Sequence, residues 1–129
     1  MRAATQPLRV LLIEDHPGHA VVALARLANA FGSENVHLVG SLQDALAALQ
    51  KYPFDALASD WDLGLGEIAR SAVQLFRALR PDGPCVVFSA HTDMRGEALA
   101  AGANSFLEKS GMTMPDIAAE LLRVRRDIQ

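Results

Sequence analysis

A single cysteine, Cys85, leaves this chain without an intrachain disulfide and suits a reducing compartment. Aromatic residues make up only 5% of it, too few to build stacking platforms for nucleic-acid bases. An excess of positive charge is also missing, since 12 Lys and Arg stand against 15 Asp and Glu, a net charge of −3. The basic residues are scattered apart from Arg123, Arg125 and Arg126, which fit the last turns of a helix better than a nucleic-acid surface. No apolar stretch approaches membrane-spanning length, and the run Val10 to Ile13 stops at Glu14, too short for a signal peptide. Internal repeats, low-complexity segments and interdomain linkers are absent as well. No His or Cys spacing fits a zinc site, and His16 and His19 read as solvated or capping residues at a helix start. These absences leave a cytoplasmic single domain with no nucleic-acid or membrane partner, large enough for one core between two helical layers.

What is present alternates along the chain. Leu8 to Ile13 reads as a strand ending at Glu14-Asp15. Pro17 opens a helix that runs through Ala20 to Phe31 and is closed by Gly32. Val36 to Val39 is a second short strand, and Ser41-Leu42-Gln43-Asp44 resembles a capping box before a stripe of Ala45, Leu46 and Leu49. Ala56 to Ser59 forms the third strand, leading into Asp60. A loop with Gly64 and Gly66 precedes a helix that runs to about Leu79, before Pro81. Cys85 to Phe88 is the fourth strand, and a weak helix lies between Thr92 and Ala101. Ser105 to Glu108 is the fifth strand. Thr113 is expected to cap a last helix with Pro115 in its first turn and Ile117, Leu121, Val124 and Ile128 as its buried stripe.

Strands alternating with helices imply a parallel sheet covered on both faces. Glu14-Asp15, Asp60, Ser89 and Lys109 each fall at the carboxyl end of a different strand. In a doubly wound sheet of order 2-1-3-4-5 those four strands are neighbours, and ligands bind at that edge. Clustered carboxylates repel one another unless a cation joins them. A hard ion that keeps waters and accepts phosphate oxygens points to magnesium, with manganese as a substitute, rather than calcium or zinc. A carboxylate beside such an ion, a lysine and a hydroxyl can act as nucleophile towards a phosphoryl group.

Four motifs in order now resemble one family, the response-regulator receiver domains of two-component signalling. They are Val10-Leu11-Leu12-Ile13-Glu14-Asp15, Ser59-Asp60-Trp61-Asp62, Val86-Val87-Phe88-Ser89-Ala90 and Gly102-Ala103-Asn104-Ser105-Phe106-Leu107-Glu108-Lys109. The second is similar to the chemotaxis-type single-domain receivers. The resemblance implies an α/β, flavodoxin-like fold with five helices, with residues 1–7 as a lead-in and 8–129 as the receiver; separately, no output domain is expected, unless the chain is a piece of a longer protein. It makes Asp60 the phosphoacceptor, and Glu14, Asp15, Asp60 and the backbone carbonyl of Asp62 the magnesium ligands. Lys109 becomes the phosphate-binding ammonium, and Ser89 and Phe106 the switch pair. Asp62 and His91 flank the hydrolytic water and set the lifetime of the phosphate. The implied partners are a histidine kinase or histidine phosphotransfer protein and a downstream protein target, with the chain a monomer or weak homodimer. Magnesium-dependent self-dephosphorylation is the most enzymatic activity expected.

The sequence departs from the family in several places. Leu63-Gly64 replaces the frequent Met-Pro, the following loop is longer than usual, and Phe106 lacks a tyrosine hydroxyl. Lys109-Ser110 replaces Lys-Pro, so a trans bond is expected there. Val21, Val22, Leu24, Leu27 and Phe31 span much of the first helix's circumference, which suggests a partner surface. Two other readings compete. A phosphatase of the haloacid-dehalogenase type would use Asp60 and Asp62, but leaves Glu14-Asp15 idle. A phosphorylation-independent pseudo-receiver would not need the complete acidic set.

Overall fold

β-branched and leucine-rich runs of four or five residues form the strands of the computed structural model, which describes residues 7–110 and 113–128. The strands are β1 (Val10–Ile13), β2 (Val36–Val39), β3 (Ala56–Asp60), β4 (Cys85–Ser89) and β5 (Ser105–Glu108). The helices are α1 (Pro17–Phe31), α2 (Leu42–Lys51), α3 (Arg70–Leu79), α4 (Arg95–Ala101) and α5 (Ile117–Ile128). All strand pairs are parallel, in the order β2-β1-β3-β4-β5. This is the doubly wound, flavodoxin-like arrangement that the alternating pattern predicts. Among the described residues no helix is long and apolar enough to cross a membrane.

The three central strands are buried along their whole length, as strands covered on both faces must be. Their side chains alternate between two cores. Leu11, Ile13, Leu57, Trp61 and Val87 pack against α2, α3 and α4, while Val10, Leu12, Ala58, Val86 and Phe88 pack against α1 and α5. The period of two therefore places Asp60 and Trp61 on opposite sides of the sheet.

Polar staples fix the edges. The Arg77 guanidinium donates to the carbonyls of Gly102, Arg80, Pro81 and Gly83 and to Asn104 Oδ1, all within 2.8–3.0 Å. Asn104 Oδ1 also accepts from Cys85 N at 2.8 Å, so one side chain ties the entry of β4 to that of β5. Gly102 has φ +127°, and a Cβ there would sit 3.1 Å from Arg77 Cβ, so the turn needs glycine twice over.

Helix ends follow the sequence with one correction. His16 caps α1, with Pro17 at its start, and Ser41 Oγ accepts from Asp44 N at 3.1 Å to cap α2. The last helix starts later than predicted, because Asp116, not Thr113, caps it. Asp116 Oδ1 accepts from Ala119 N at 3.0 Å, while the backbone of Thr113 is bonded to Ser110. Pro115 thus precedes the helix, and its carbonyl and that of Met114 accept from Arg26. Ile117, Leu121 and Val124 are buried, but Ile128 is exposed, since the sheet no longer covers the final turn. The first strand is also shorter than predicted and begins at Val10.

Candidate functional site

Register brings the strand ends level. Ile13 pairs with Ser59, Asp60 with Phe88, and Ser89 with Glu108, so Glu14, Asp60, Ser89 and Lys109 emerge along one edge. Lys109 N still bonds to Ser89 O at 2.9 Å, and Trp61 N to Phe88 O at 2.9 Å, which carries sheet geometry into the site.

Lys109 lies at the centre. Its ammonium donates to Asp60 Oδ2 at 2.7 Å and to Glu14 Oε1 at 2.8 Å, and it lies 5.3 Å above the Phe88 ring. Lys109, Asp60, Glu14 and Ser89 are all buried, whereas Asp15 and Asp62 are exposed. Burial opposes the charge on Lys109, but its hydrogen bonds to Asp60 and Glu14 outweigh that and raise its pKa. Burial, reinforced by the charge of Glu14, pushes Asp60 up from 3.8 to about 7 even though Lys109 pulls it down. Asp15 is raised as well, by partial burial and by the charge of Glu14. When all three carboxylates are ionised, one ammonium leaves two negative charges uncompensated.

That imbalance fits a divalent cation. Glu14, Asp15 and Asp60 each offer a carboxylate oxygen, and the three atoms lie within 4.8 Å of one another. An all-oxygen donor set with no thiolate or imidazole in it suits a hard ion.

The loop after β3 is shaped around these acids. Asp62 and Ile68 form an antiparallel bridge, Leu63 N bonds to Glu67 O, and Gly64, Leu65 and Gly66 turn between them with φ of +83°, +53° and +81°. A Cβ on Gly64 would lie 3.0 Å from Asp15 Oδ2, so glycine gives the carboxylate its space. Asp60 Oδ1 accepts from Asp62 N at 3.3 Å. The Asp62 carboxylate itself turns outward, accepting from Gly64 N at 3.0 Å and standing 3.9 Å from His91 Nε2. Asp62 and His91 therefore face each other at the mouth, beyond hydrogen-bond reach.

Ser89 Oγ accepts from His91 N at 3.0 Å. Phe106 is buried, with the Arg95 guanidinium 5.3 Å over its ring and Arg95 Nη2 3.3 Å from its carbonyl oxygen. The Lys109–Ser110 bond is trans, as expected from the missing proline. On α1, Val21 is 69% and Val22 40% exposed, while Leu27 and Phe31, with Ala20 and Ala23, fill the core, so of the five residues expected to span the helix only Val21 and Val22 face outward.

Sequence reasoning missed His19. It is half-buried and not a cap, and its Nδ1 lies 3.1 Å from Lys109 Nζ and 3.9 Å from Glu14 Oε1. Partial burial and the neighbouring Lys109 charge lower its pKa. The one available signal was a histidine four residues after Asp15, in the first turn of the helix that leaves the site.

The response regulator receiver domain family matches residues 10–121, which include every buried residue of this cluster. No curated protein sequence matches the chain. The receiver domain of a sensor histidine kinase from Pseudomonas aeruginosa PAO1, solved with magnesium coordinated in its active-site cleft, is 27% identical. It has a TM-score of 0.71 and the match covers 95% of this chain and 98% of that one. The chemotaxis response regulator CheY4 of Vibrio cholerae is 21% identical at a TM-score of 0.74, covering 96% of this chain and all of that one. TrrA from Thermotoga maritima, solved with magnesium and beryllofluoride, is 16% identical at a TM-score of 0.68, covering 91% and 98%. Five parallel strands carrying two acids, a third acid, a serine and a lysine at their ends, over a span the family matches almost throughout, place this chain in the response regulator receiver domain family.

Proposed function

We propose that the chain accepts a phosphoryl group on Asp60 from a histidine kinase or histidine phosphotransfer protein and thereby changes the protein partner it binds. The observation that carries this reading is the Lys109 ammonium held at 2.7 Å from Asp60 and 2.8 Å from Glu14 within a three-carboxylate cluster. Glu14, Asp15 and Asp60, with the Asp62 backbone carbonyl, would hold magnesium, or manganese in its place. The bound ion supplies positive charge against the phosphoryl oxygens and the developing negative charge.

In transfer from a phosphohistidine, Asp60 Oδ forms the new P–O bond as the P–N bond breaks, and the imidazole leaves with the electron pair and takes up a proton. Lys109 redirects one N–H from Asp60 to a phosphoryl oxygen, and the Ser89 hydroxyl turns to donate to another. Ser89 and Phe106 would act as the switch pair, carrying phosphorylation to the surface of α4 and β5. Water attacking the same phosphorus would return the carboxylate, giving slow self-dephosphorylation. The outward Val21 and Val22 would meet the donor protein. Residues 8–129 make up the acting unit, cytoplasmic and a monomer or weak homodimer.

The phosphatase alternative loses support because Glu14 is bound to Lys109 rather than idle and the Asp62 carboxylate is turned towards Gly64 and His91. Intact mass after incubation with acetyl phosphate and magnesium tests the reading. Wild type should gain one phosphoryl group and Asp60→Asn none. Repeated turnover of phosphate esters by the wild type would favour the phosphatase instead.

A further inference from the structure

Three residues close a ring of hydrogen bonds with Lys109. Glu14 Oε2 accepts from His16 N at 3.1 Å, and His16 Nδ1 accepts from His19 N at 3.3 Å. The Lys109 ammonium then lies 3.1 Å from His19 Nδ1 and 2.8 Å from Glu14 Oε1, which returns to the start. The His19 ring is also stacked on that of His16, with centroids 4.2 Å apart and planes 26° from parallel. Gly18 belongs to the same construction, since a Cβ there would come within 3.2 Å of His16 Cε1. The start of α1 thus delivers one imidazole nitrogen to the ammonium in a fixed orientation.

An ammonium has three donors, and Lys109 meets three acceptors: Asp60, Glu14 and His19. Two of them are carboxylates that belong to the acidic cluster. A cation bound there competes for both, and a phosphoryl group on Asp60 removes the charge from one. His19 lies outside the group of carboxylates and is the only acceptor whose availability does not change with the loading of the site.

We propose that His19 is a positioning residue that holds the Lys109 ammonium at the phosphoacceptor through its Nδ1 lone pair once the cation has drawn Glu14 and Asp60 away. The inference rests on the phosphoacceptor reading above. It requires the tautomer with the proton on Nε2, because Lys109 can only donate. Leucine at this position would keep the bulk against His16 and lose the acceptor. Asparagine would return an acceptor oxygen at about the place of Nδ1.

Calorimetric titration of the full chain, first with magnesium alone and then with beryllofluoride at saturating magnesium, separates the possibilities. For His19→Leu, magnesium affinity should stay as in wild type. Beryllofluoride, which needs Lys109, should bind roughly tenfold more weakly, or about 1.4 kcal/mol. His19→Asn should recover most of that loss, and His19→Ala repeats the comparison should the leucine variant fail to fold. Unchanged beryllofluoride affinity in the leucine and alanine variants would overturn the proposal, as would an asparagine variant as weak as the leucine one. An equal fall in magnesium affinity would also overturn it, since that marks general disruption of the site. Failure of the wild type itself to bind beryllofluoride would instead overturn the phosphoacceptor reading.

Discussion

Without a cation, the folded protein should lose stability as the pH rises from about 4 to about 7, and Asp60→Asn should remove most of that loss. Asp60 is buried beside Glu14, and its carboxyl is pushed up from 3.8 to about 7. A carboxyl raised on folding binds its proton more tightly in the native state. Its contribution is therefore complete below the unfolded pKa near 4 and declines until the folded value is passed. A difference of about three pKa units at about 1.4 kcal/mol each amounts to a loss of about 4 kcal/mol across the window. Asp15 adds to the same slope, because its pKa is also raised, whereas His19 opposes it with a lowered one. The informative quantity is accordingly the difference between wild type and Asp60→Asn. The pull of the Lys109 ammonium is already contained in the net rise to about 7, so it is not subtracted again. At pH 8 with a chelator, the variant should thus be more stable than wild type by up to about 4 kcal/mol. Urea unfolding followed by the fluorescence of Trp61, measured at several pH values with chelator or magnesium, provides the test. Magnesium should flatten the wild-type slope. Equal pH slopes in the two proteins, or a wild-type stability that rises through the window, would refute the reasoning.

Asp62→Ala and His91→Ala should each shorten the phosphorylated half-life, with the double variant less than additive. Because the two side chains are exposed and 3.9 Å apart, their pairing is worth at most about 1 kcal/mol, and the change should stay below about fivefold. Longer half-lives in the single variants would reverse the assignment. Val22→Glu should slow phosphoryl transfer from a cognate protein donor while leaving transfer from acetyl phosphate unchanged, and equal protein-donor rates would move the docking surface elsewhere. Arg77→Met leaves several backbone carbonyls without their donor and should lower stability by about 2–4 kcal/mol, read from the urea midpoint. A loss well under 1 kcal/mol would mean that water replaces the guanidinium at little cost.

The strands and the edge that bears the site were legible in the sequence because a buried parallel strand has few ways to be written. Val10-Leu11-Leu12-Ile13 and Cys85-Val86-Val87-Phe88 must be apolar on both faces, and each ends at a polar residue, Glu14 or Ser89. The resemblance to receivers then supplied roles for Asp60, Lys109 and the acidic pair, residues that the register brings to one edge. What local pattern could not decide was where side chains from distant segments point. Thr113 and Asp116 are both good helix caps, and only the turn that engages Thr113 with Ser110 leaves Asp116 to cap α5. His19 looked like a surface residue because the lysine that reaches it lies 90 positions away. The bridge from Asp62 to Ile68 turns the Asp62 carboxylate outward to face His91 across 3.9 Å, a placement that no local pattern gives. Sequence by itself determined the layered sheet and which polar residues stand at the strand ends, since hydrophobic period and strand-end chemistry are local. The tertiary structure alone decided which acceptors share the Lys109 ammonium, because that depends on three strand ends and the first turn of α1 converging within a few ångströms.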